Sequence, residues 1–179
     1  MAKRNIILYT ASSLDGFIAK EDGNLEWLEQ LPNPDNSDYG YHAFYQNIDT
    51  TLMGYKTFEF VKSKEATSHY AKTKNFVFTR QKNLPAEQYI TFINDPIPFT
   101  KKLKGQPGKD IWLVGGGEIN SLLLTNNLID QMIISVIPII LGNGLRLFPN
   151  AGSDGALHLT KQIAYTSGIV TLYYEQKKT

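Results

Sequence analysis

The sequence predicts an α/β sandwich with a mostly parallel central sheet and an antiparallel C-terminal edge. Three observations point there. Short apolar runs alternate with stretches of helical spacing as far as residue 125. Three of those runs end in Gly54-Tyr55-Lys56-Thr57, in Thr79-Arg80 and in Gly115-Gly116-Gly117, residues suited to phosphate at the carboxyl edge of such a sheet. Beyond them come a β-branched run over 131–137 and a strand–turn–strand pattern over 157–176.

In chain order, Ile6–Ala11 is an apolar run suited to a core strand, Ser12–Gly16 a turn, and Phe17–Trp27 a loop containing Asp22-Gly23. Tyr39–Ile48 spaces Tyr41, Phe44, Tyr45 and Ile48 as a helix does. Thr50–Met53 predicts a buried strand, Gly54 a turn, and 56–64 a helix. Strands are expected over 74–79 and 88–93, and a helix from Asn94-Asp95-Pro96 to Leu103. Ile111–Val114 predicts a buried strand, the three glycines a tight turn, and Glu118–Thr125 a helix ended by Asn126-Asn127. The apolar run Met132–Leu141 is half a bilayer-spanning length and contains Pro138, so a buried strand is expected. Gly142-Asn143-Gly144 is a loop, and Leu157–Tyr165 with Gly168–Gln176 is a hairpin turning at Thr166-Ser167-Gly168.

At 179 residues the chain fits a single domain, 1–179, with no Pro/Ser-rich linker to divide it. A net charge of +1 supplies no footprint for nucleic acid or an anionic membrane, so neither is an expected partner. With no cysteine there are no disulfides, thiol nucleophiles or thiolate metal sites. His42, His69 and His158 lie far apart in sequence, and no protein-bound metal is expected. The run Ile6–Tyr9 breaks off too early for a signal peptide, and a cytoplasmic protein is expected.

Several residues could carry chemistry. The free N–H groups and positive dipole of a helix start suit phosphate, and glycine lets backbone approach it closely. At Gly54–Thr57, Lys56 adds charge and Thr57 a hydroxyl; the alternative is a solvated lysine and a capping threonine. Arg80 could grip a phosphate as a bidentate fork beside the Thr79 hydroxyl. No Asp or Glu ends that strand to meet a free ribose, which favours NADP over NAD. Asp15, before a turn glycine, is either an acid or a turn residue. Trp27 is either a lid aromatic or loop packing. Asp38 precedes the Tyr39–Ile48 pattern, either capping a helix or, if buried in a pocket, holding and delivering a proton.

Taken together, Ser13–Ala19, Ile48–Glu59, Val77-Phe78-Thr79-Arg80, Val114–Glu118 and Pro138–Gly144 with Leu147-Phe148 occur in an order that resembles the dihydrofolate-reductase-like superfamily. The resemblance is closest to the reductase (RibD C-terminal) domain family of riboflavin biosynthesis. It covers nearly the whole chain and implies a three-layer αβα sandwich around about eight strands. It also implies NADPH at the carboxyl edge and hydride transfer to a C=N or C=O carbon of a pterin- or ribosylaminopyrimidine-type substrate. By resemblance, Ala11 offers backbone to the carboxamide, Phe17–Trp27 closes over the nicotinamide, and Lys56, Thr57, Thr79 and Arg80 surround the adenosine-side phosphates. Gly115–Gly117 become the pyrophosphate turn. The matched motifs extend the cofactor contacts to Asp15, Gly16 and Ile18, to Gly54 and Tyr55, and to Val114 and Glu118. Asp38 falls at the substrate-binding acid and Ser135 where a hydroxyl supports it, with Trp27 also beside the substrate. The chain departs from the pattern at Tyr55, where arginine is frequent, at Asn120, where a tyrosine is frequent, and at Val114, where the riboflavin enzymes favour glutamate.

The reading is therefore an NADPH-dependent oxidoreductase acting on a small molecule. Its rivals are a non-catalytic nucleotide-binding domain that keeps the fold and a true dihydrofolate reductase. A homodimer is expected through Met132–Leu141 and the C-terminal hairpin.

Overall fold

The computed structural model describes residues 4–152 and 155–176. Its centre is an eight-stranded sheet. Strands β1 (Ile6–Ser13), β3 (Ile48–Gly54), β4 (Lys74–Phe78), β5 (Ile90–Ile93), β6 (Asp110–Gly115) and β7 (Gln131–Ile137) run parallel, in the spatial order β5-β4-β3-β6-β1-β7. The antiparallel strands β9 (Leu157–Ala164) and β10 (Val170–Gln176) complete the sheet beyond β7. Between the parallel strands lie α1 (Glu26–Glu29), α2 (Tyr41–Tyr45), α3 (Tyr55–Ser63), α4 (Pro96–Lys104) and α5 (Gly117–Thr125).

Side-chain alternation along the strands feeds two cores, one on each face of the sheet. Ile6 and Leu8 of β1, Leu52 of β3, Phe78 of β4 and Ile111 and Leu113 of β6 pack with Leu103 of α4 and Leu123 of α5. Their neighbours Ile7, Met53, Val77 and Trp112 face the other way, against Phe44 of α2 and Phe58 of α3. This is the three-layer sandwich the sequence predicts. A third cluster gathers Trp27, Ile137 and Ile169 near the carboxyl end of β7.

Four local expectations are corrected. The helix expected over 39–48 is only α2, because Tyr39 and Gly40 take left-handed backbone (φ 53 and 85) and Ile48 is drawn into β3. The expected loop 17–27 contains β2 (Phe17–Ala19), which pairs with β8 (Leu145–Arg146) as a two-stranded ribbon, and also α1. A 3₁₀ turn over Ala66–Tyr70 was not expected. Finally, β7 is an interior strand between β1 and β10, so it offers no free edge to a second subunit. The hairpin does: β9 forms the border of the sheet and is exposed along almost its whole length.

Candidate functional site

Adjacent strands β3 and β6 both end in glycine, and each delivers the chain straight into a helix. Gly54 precedes α3 and Gly116 precedes α5, and neither helix start has a side-chain cap. In α5 the Ile119 N–H already donates to the Gly116 carbonyl at 3.0 Å, so it is the N–H groups ahead of it that the missing cap leaves for solvent or a ligand. The two turns touch. A Cβ on Gly54 would lie 3.1 Å from Ile119, and one on Gly116 would lie 3.3 Å from Thr57 Oγ1 and 3.9 Å from Ile18 Cδ1. The Gly115–Gly116 peptide is cis. Gly54, Thr57, Gly115, Gly116 and Ile18 are thus brought together. Gly117 lets the chain close against the 146–149 segment, where a Cβ would run into the Arg146 carbonyl.

β4 lies beside β3 with Phe78 opposite Gly54, which sets Thr79-Arg80 along the same edge. Lys56 and Arg80 are exposed, and among the described residues neither has an ion-pair partner. Thr79 is buried, and its hydroxyl accepts from the Gln81 N–H while the Asn94 amide donates to the Thr79 carbonyl. It shapes the turn that presents Arg80.

Other expected contacts resolve differently. Tyr55 turns into an aromatic group with Phe58 and Phe92, at ring distances of 6.0 and 6.2 Å, so its side chain does not replace the missing arginine. Val114 packs against the Trp112 core, and Glu118 is an exposed first-turn acid that favours the helix dipole. Asp15 is occupied within the protein. Ser13 Oγ donates to it at 2.6 Å, and the Leu141 and Gly142 N–H groups donate at 3.1 and 2.8 Å. Those bonds, the Ser13 hydroxyl first, hold its carboxyl below the ordinary value of 3.8. Gly16, at φ 85, accepts from the Leu147 N–H. Asp15 and Gly16 therefore fasten the β1–β2 turn to the 139–147 segment.

Next to the glycine turns, at the carboxyl ends of β1 and β7, opens a cavity of about 310 Å³. Its strand side is Tyr9 and Ala11 of β1 with Ser135 and Ile137 of β7, which share one face because Ala11 lies opposite Ser135. Thr10 of β1, the 28–39 segment through Leu28, Leu31, Asn33, Asp38 and Tyr39, and Ile169 complete it. Ala11, Asp38 and Ser135 are thus brought to one cavity. Trp27 does not line it: it is 2 % exposed and packs behind Ile137 and Ile169, so it supports the wall instead of touching a ligand.

Two chemical roles need correction. Asp38 is not a buried proton store. It is exposed, and its two oxygens accept from the Gly40 and His42 N–H groups, each at 2.9 Å. The His42 bond first, then that from Gly40, keeps the carboxyl below its ordinary value, so it is ionised and anchors the start of α2. Ser135 Oγ bonds Thr171 Oγ1 across to β10 at 2.9 Å, so its hydrogen bond goes there and not to Asp38. The sequence reading missed Tyr9. Burial above all, then Tyr173, Tyr165, Asp38 and Tyr41, pushes its hydroxyl well above the ordinary 10.0 and keeps it protonated. Period-two alternation from Ala11 places Tyr9 on the same face, which was the available signal.

A larger depression of about 450 Å³ lies on the far flank of α3, between Phe58 and Pro85. Its wall cation, Lys62, is paired with Glu87, and of the Gly54–Thr57 and Gly115–Gly117 motifs only the Tyr55 side reaches it.

Known proteins share this fold. The model of the RibD C-terminal domain matches residues 4–171. The uncharacterized proteins YwjB and YyaP of Bacillus subtilis strain 168 are 38% and 34% identical to the chain. They cover 96% and 97% of it, and the matches span 98% and 96% of their own lengths. Among solved structures, a Shewanella sp. PV-4 protein provisionally named for riboflavin biosynthesis superposes with a TM-score of 0.87 at 28% identity, covering 97% of this chain and 99% of its own. The Thermotoga maritima diaminohydroxyphosphoribosylaminopyrimidine deaminase/5-amino-6-(5-phosphoribosylamino)uracil reductase shares the fold, with a TM-score of 0.74 at 15% identity. That match covers 98% of this chain and 57% of the Thermotoga protein. The chain belongs to the RibD C-terminal domain family.

Proposed function

We propose that this RibD C-terminal domain is an NADPH-dependent reductase of a pterin- or ribosylaminopyrimidine-type small molecule. The observation that carries the reading is the pair of uncapped glycine-led helix starts, flanked by the unpaired Lys56 and Arg80 and bordering the Ala11–Ser135 cavity. The residues fit a dinucleotide. The cradle is one that a Cβ on Gly116 would crowd, so backbone N–H groups reach the pyrophosphate, and the Thr57 hydroxyl stands beside them. Lys56 neutralises phosphate charge and Arg80 supplies the fork for a 2′-phosphate. Ala11, in the cavity wall on the strand beside β6, offers backbone to the carboxamide.

When bound, the nicotinamide supplies the hydride. The protein's own part is positioning, drying and proton supply. Ile18, over Gly116, and Leu28 and Leu31, along the cavity, exclude water. Because Asp38 is ionised, it does not release a proton itself; its carboxylate orients a water or a substrate N–H at the rim. Dimerisation, where it occurs, uses the exposed β9 border.

Fluorescence titration with NADPH tests the reading. Saturable binding at sub-millimolar concentration, weaker for NADH, is expected, followed by substrate-dependent loss of NADPH absorbance against dihydropteridines and ribosylaminopyrimidines. No saturable binding overturns the cofactor assignment; binding without turnover across that panel leaves a nucleotide-binding domain.

A further inference from the structure

The cavity beside the glycine turns has a one-sided charge character. Among the described residues, its wall contains no lysine, arginine or histidine. Its one charged member is Asp38, held as a carboxylate by two backbone N–H groups. Neutral polar groups make up the rest of its chemistry: the Tyr9 hydroxyl, the Ser135–Thr171 hydroxyl pair, Thr10 and Asn33. Asn33 is committed to its own loop, donating to the Ser37 carbonyl and accepting from the Ser37 N–H. Leu28, Leu31, Ile137, Ile169 and Ala11 make the remaining surface apolar. The contrast with the neighbouring edge is sharp, because Lys56 and Arg80 are exposed there with no ion-pair partner among the described residues.

A phosphate group carries about two negative charges at neutral pH. Drawing one into an apolar cavity with no counter-cation removes its hydration without replacement, and a fixed carboxylate nearby repels it. A planar nitrogen heterocycle meets the opposite situation: flat apolar walls for its faces, and an acceptor for its ring or exocyclic N–H groups. At about 310 Å³ the cavity stands at the small end of ligand pockets, room for a bicyclic ring or a ring with one short substituent.

We propose that the substrate of this protein is a neutral or cationic nitrogen heterocycle without a phosphate group, selected by the cation-free, Asp38-bearing cavity formed by β1, β7 and the 28–39 segment. This rests on the reductase reading for the identity of the site, and it narrows the substrate class within that reading. Among the described residues, the groups this reading gives to phosphate lie at the glycine-turn edge and not in the cavity wall.

The test uses a ribosylaminopyrimidine and its 5′-phosphate, titrated against the intact protein by equilibrium dialysis with and without NADPH. The unphosphorylated compound is expected to bind at least about tenfold more tightly. Equal or tighter binding of the 5′-phosphate overturns the proposal, as does failure of both to bind at millimolar concentration. Leu31→Lys, which adds a cation at a half-buried wall position, is expected to shift the ratio of the two affinities about tenfold toward the 5′-phosphate, whatever it does to binding of both compounds in common. An unchanged ratio in that folded variant also counts against the proposal. NADPH affinity is read separately. Absent NADPH binding with the ligand preference intact overturns the reductase reading and keeps the charge selection; normal NADPH binding with a phosphate preference does the reverse.

Discussion

The two ends of the central sheet treat charge in opposite ways. Where the parallel strands begin, ions are sunk into the protein and matched. Arg4, 3 % exposed, is paired with Asp49 and also donates to Thr50 Oγ1 and to the Lys109 carbonyl, at 2.7 and 2.5 Å. Lys104 meets Asp130 at 2.5 Å, and the same carboxylate accepts from the Ile6 N–H. These groups fix where β1, β3, β6 and β7 start relative to one another. Where the strands finish, Lys56 and Arg80 have no ion-pair partner among the described residues, and two helix starts lack side-chain caps. The cations at the first end are bonded within the protein; Lys56 and Arg80 at the second form no ion pair among the described residues. Side-chain composition alone does not separate the two ends, since both hold lysine and arginine. Burial and partnership do.

That contrast can be broken at either end. The largest effect is expected from Arg4→Met, which leaves Asp49 without its cation and should cost roughly 3 kcal/mol in urea unfolding. NADPH affinity of the folded protein should not change. An unaltered urea midpoint would mean that the strand-start end is not the anchor described. Gly117→Ala comes next. Its Cβ would meet the Arg146 carbonyl and lie 2.7 Å from Pro149 Cδ, so about 1–3 kcal/mol of stability should be lost.

For the two cations of the carboxyl edge, where Gly117 also lies, the effects move from stability to binding. Lys56→Ala and Arg80→Ala should each leave unfolding within about 0.5 kcal/mol of the parent. Each should weaken NADPH by about tenfold, about 1.4 kcal/mol. Arg80→Ala should also erase the preference for NADPH over NADH. A loss of stability without a loss of affinity in either variant would make that cation structural and remove the contrast.

The smallest effect concerns acid. Asp15 and Asp38 both have carboxyls lowered by hydrogen bonds, from Ser13 first and His42 first respectively. Their contribution is complete above the ordinary value of 3.8 and fades as pH falls through the lower folded value. Asp15→Asn should therefore flatten the acid side of the stability–pH curve below about pH 4 and leave its neutral region parallel to the parent.

Most of the sheet was legible because period-two burial and glycine punctuation are local properties. Ile6, Leu8, Leu52 and Leu113 announce themselves in sequence, and so do the turns at Gly54 and Gly115. What escaped depends on distant partners. β2 is three residues long and exists because Phe17 finds Arg146, and β8 exists for the same reason. The cradle glycines were readable from chemistry. The occupation of Asp15 by Leu141 and Gly142 was not, because nothing near residue 15 predicts two N–H donors from another turn. Asp38 shows the same limit in reverse. Its helix-start bonds were one of the two readings open in sequence, and only exposure decided between them.

The position of β1 carries a consequence for how the molecule is made. It is early in the chain and central in the sheet, and its strand partners begin at Ile111 on one side and Gln131 on the other. Until those stretches have left the ribosome, Ile6, Ile7 and Leu8 have no strand to pair with. The apolar segment synthesised first must wait for more than a hundred residues, the long-separation pairing that slows folding and prolongs exposure to aggregation. Ala11 and Tyr9 ride on that strand, so the cavity wall takes form only at the end of assembly. A protein that has a working site has, by that fact, finished folding.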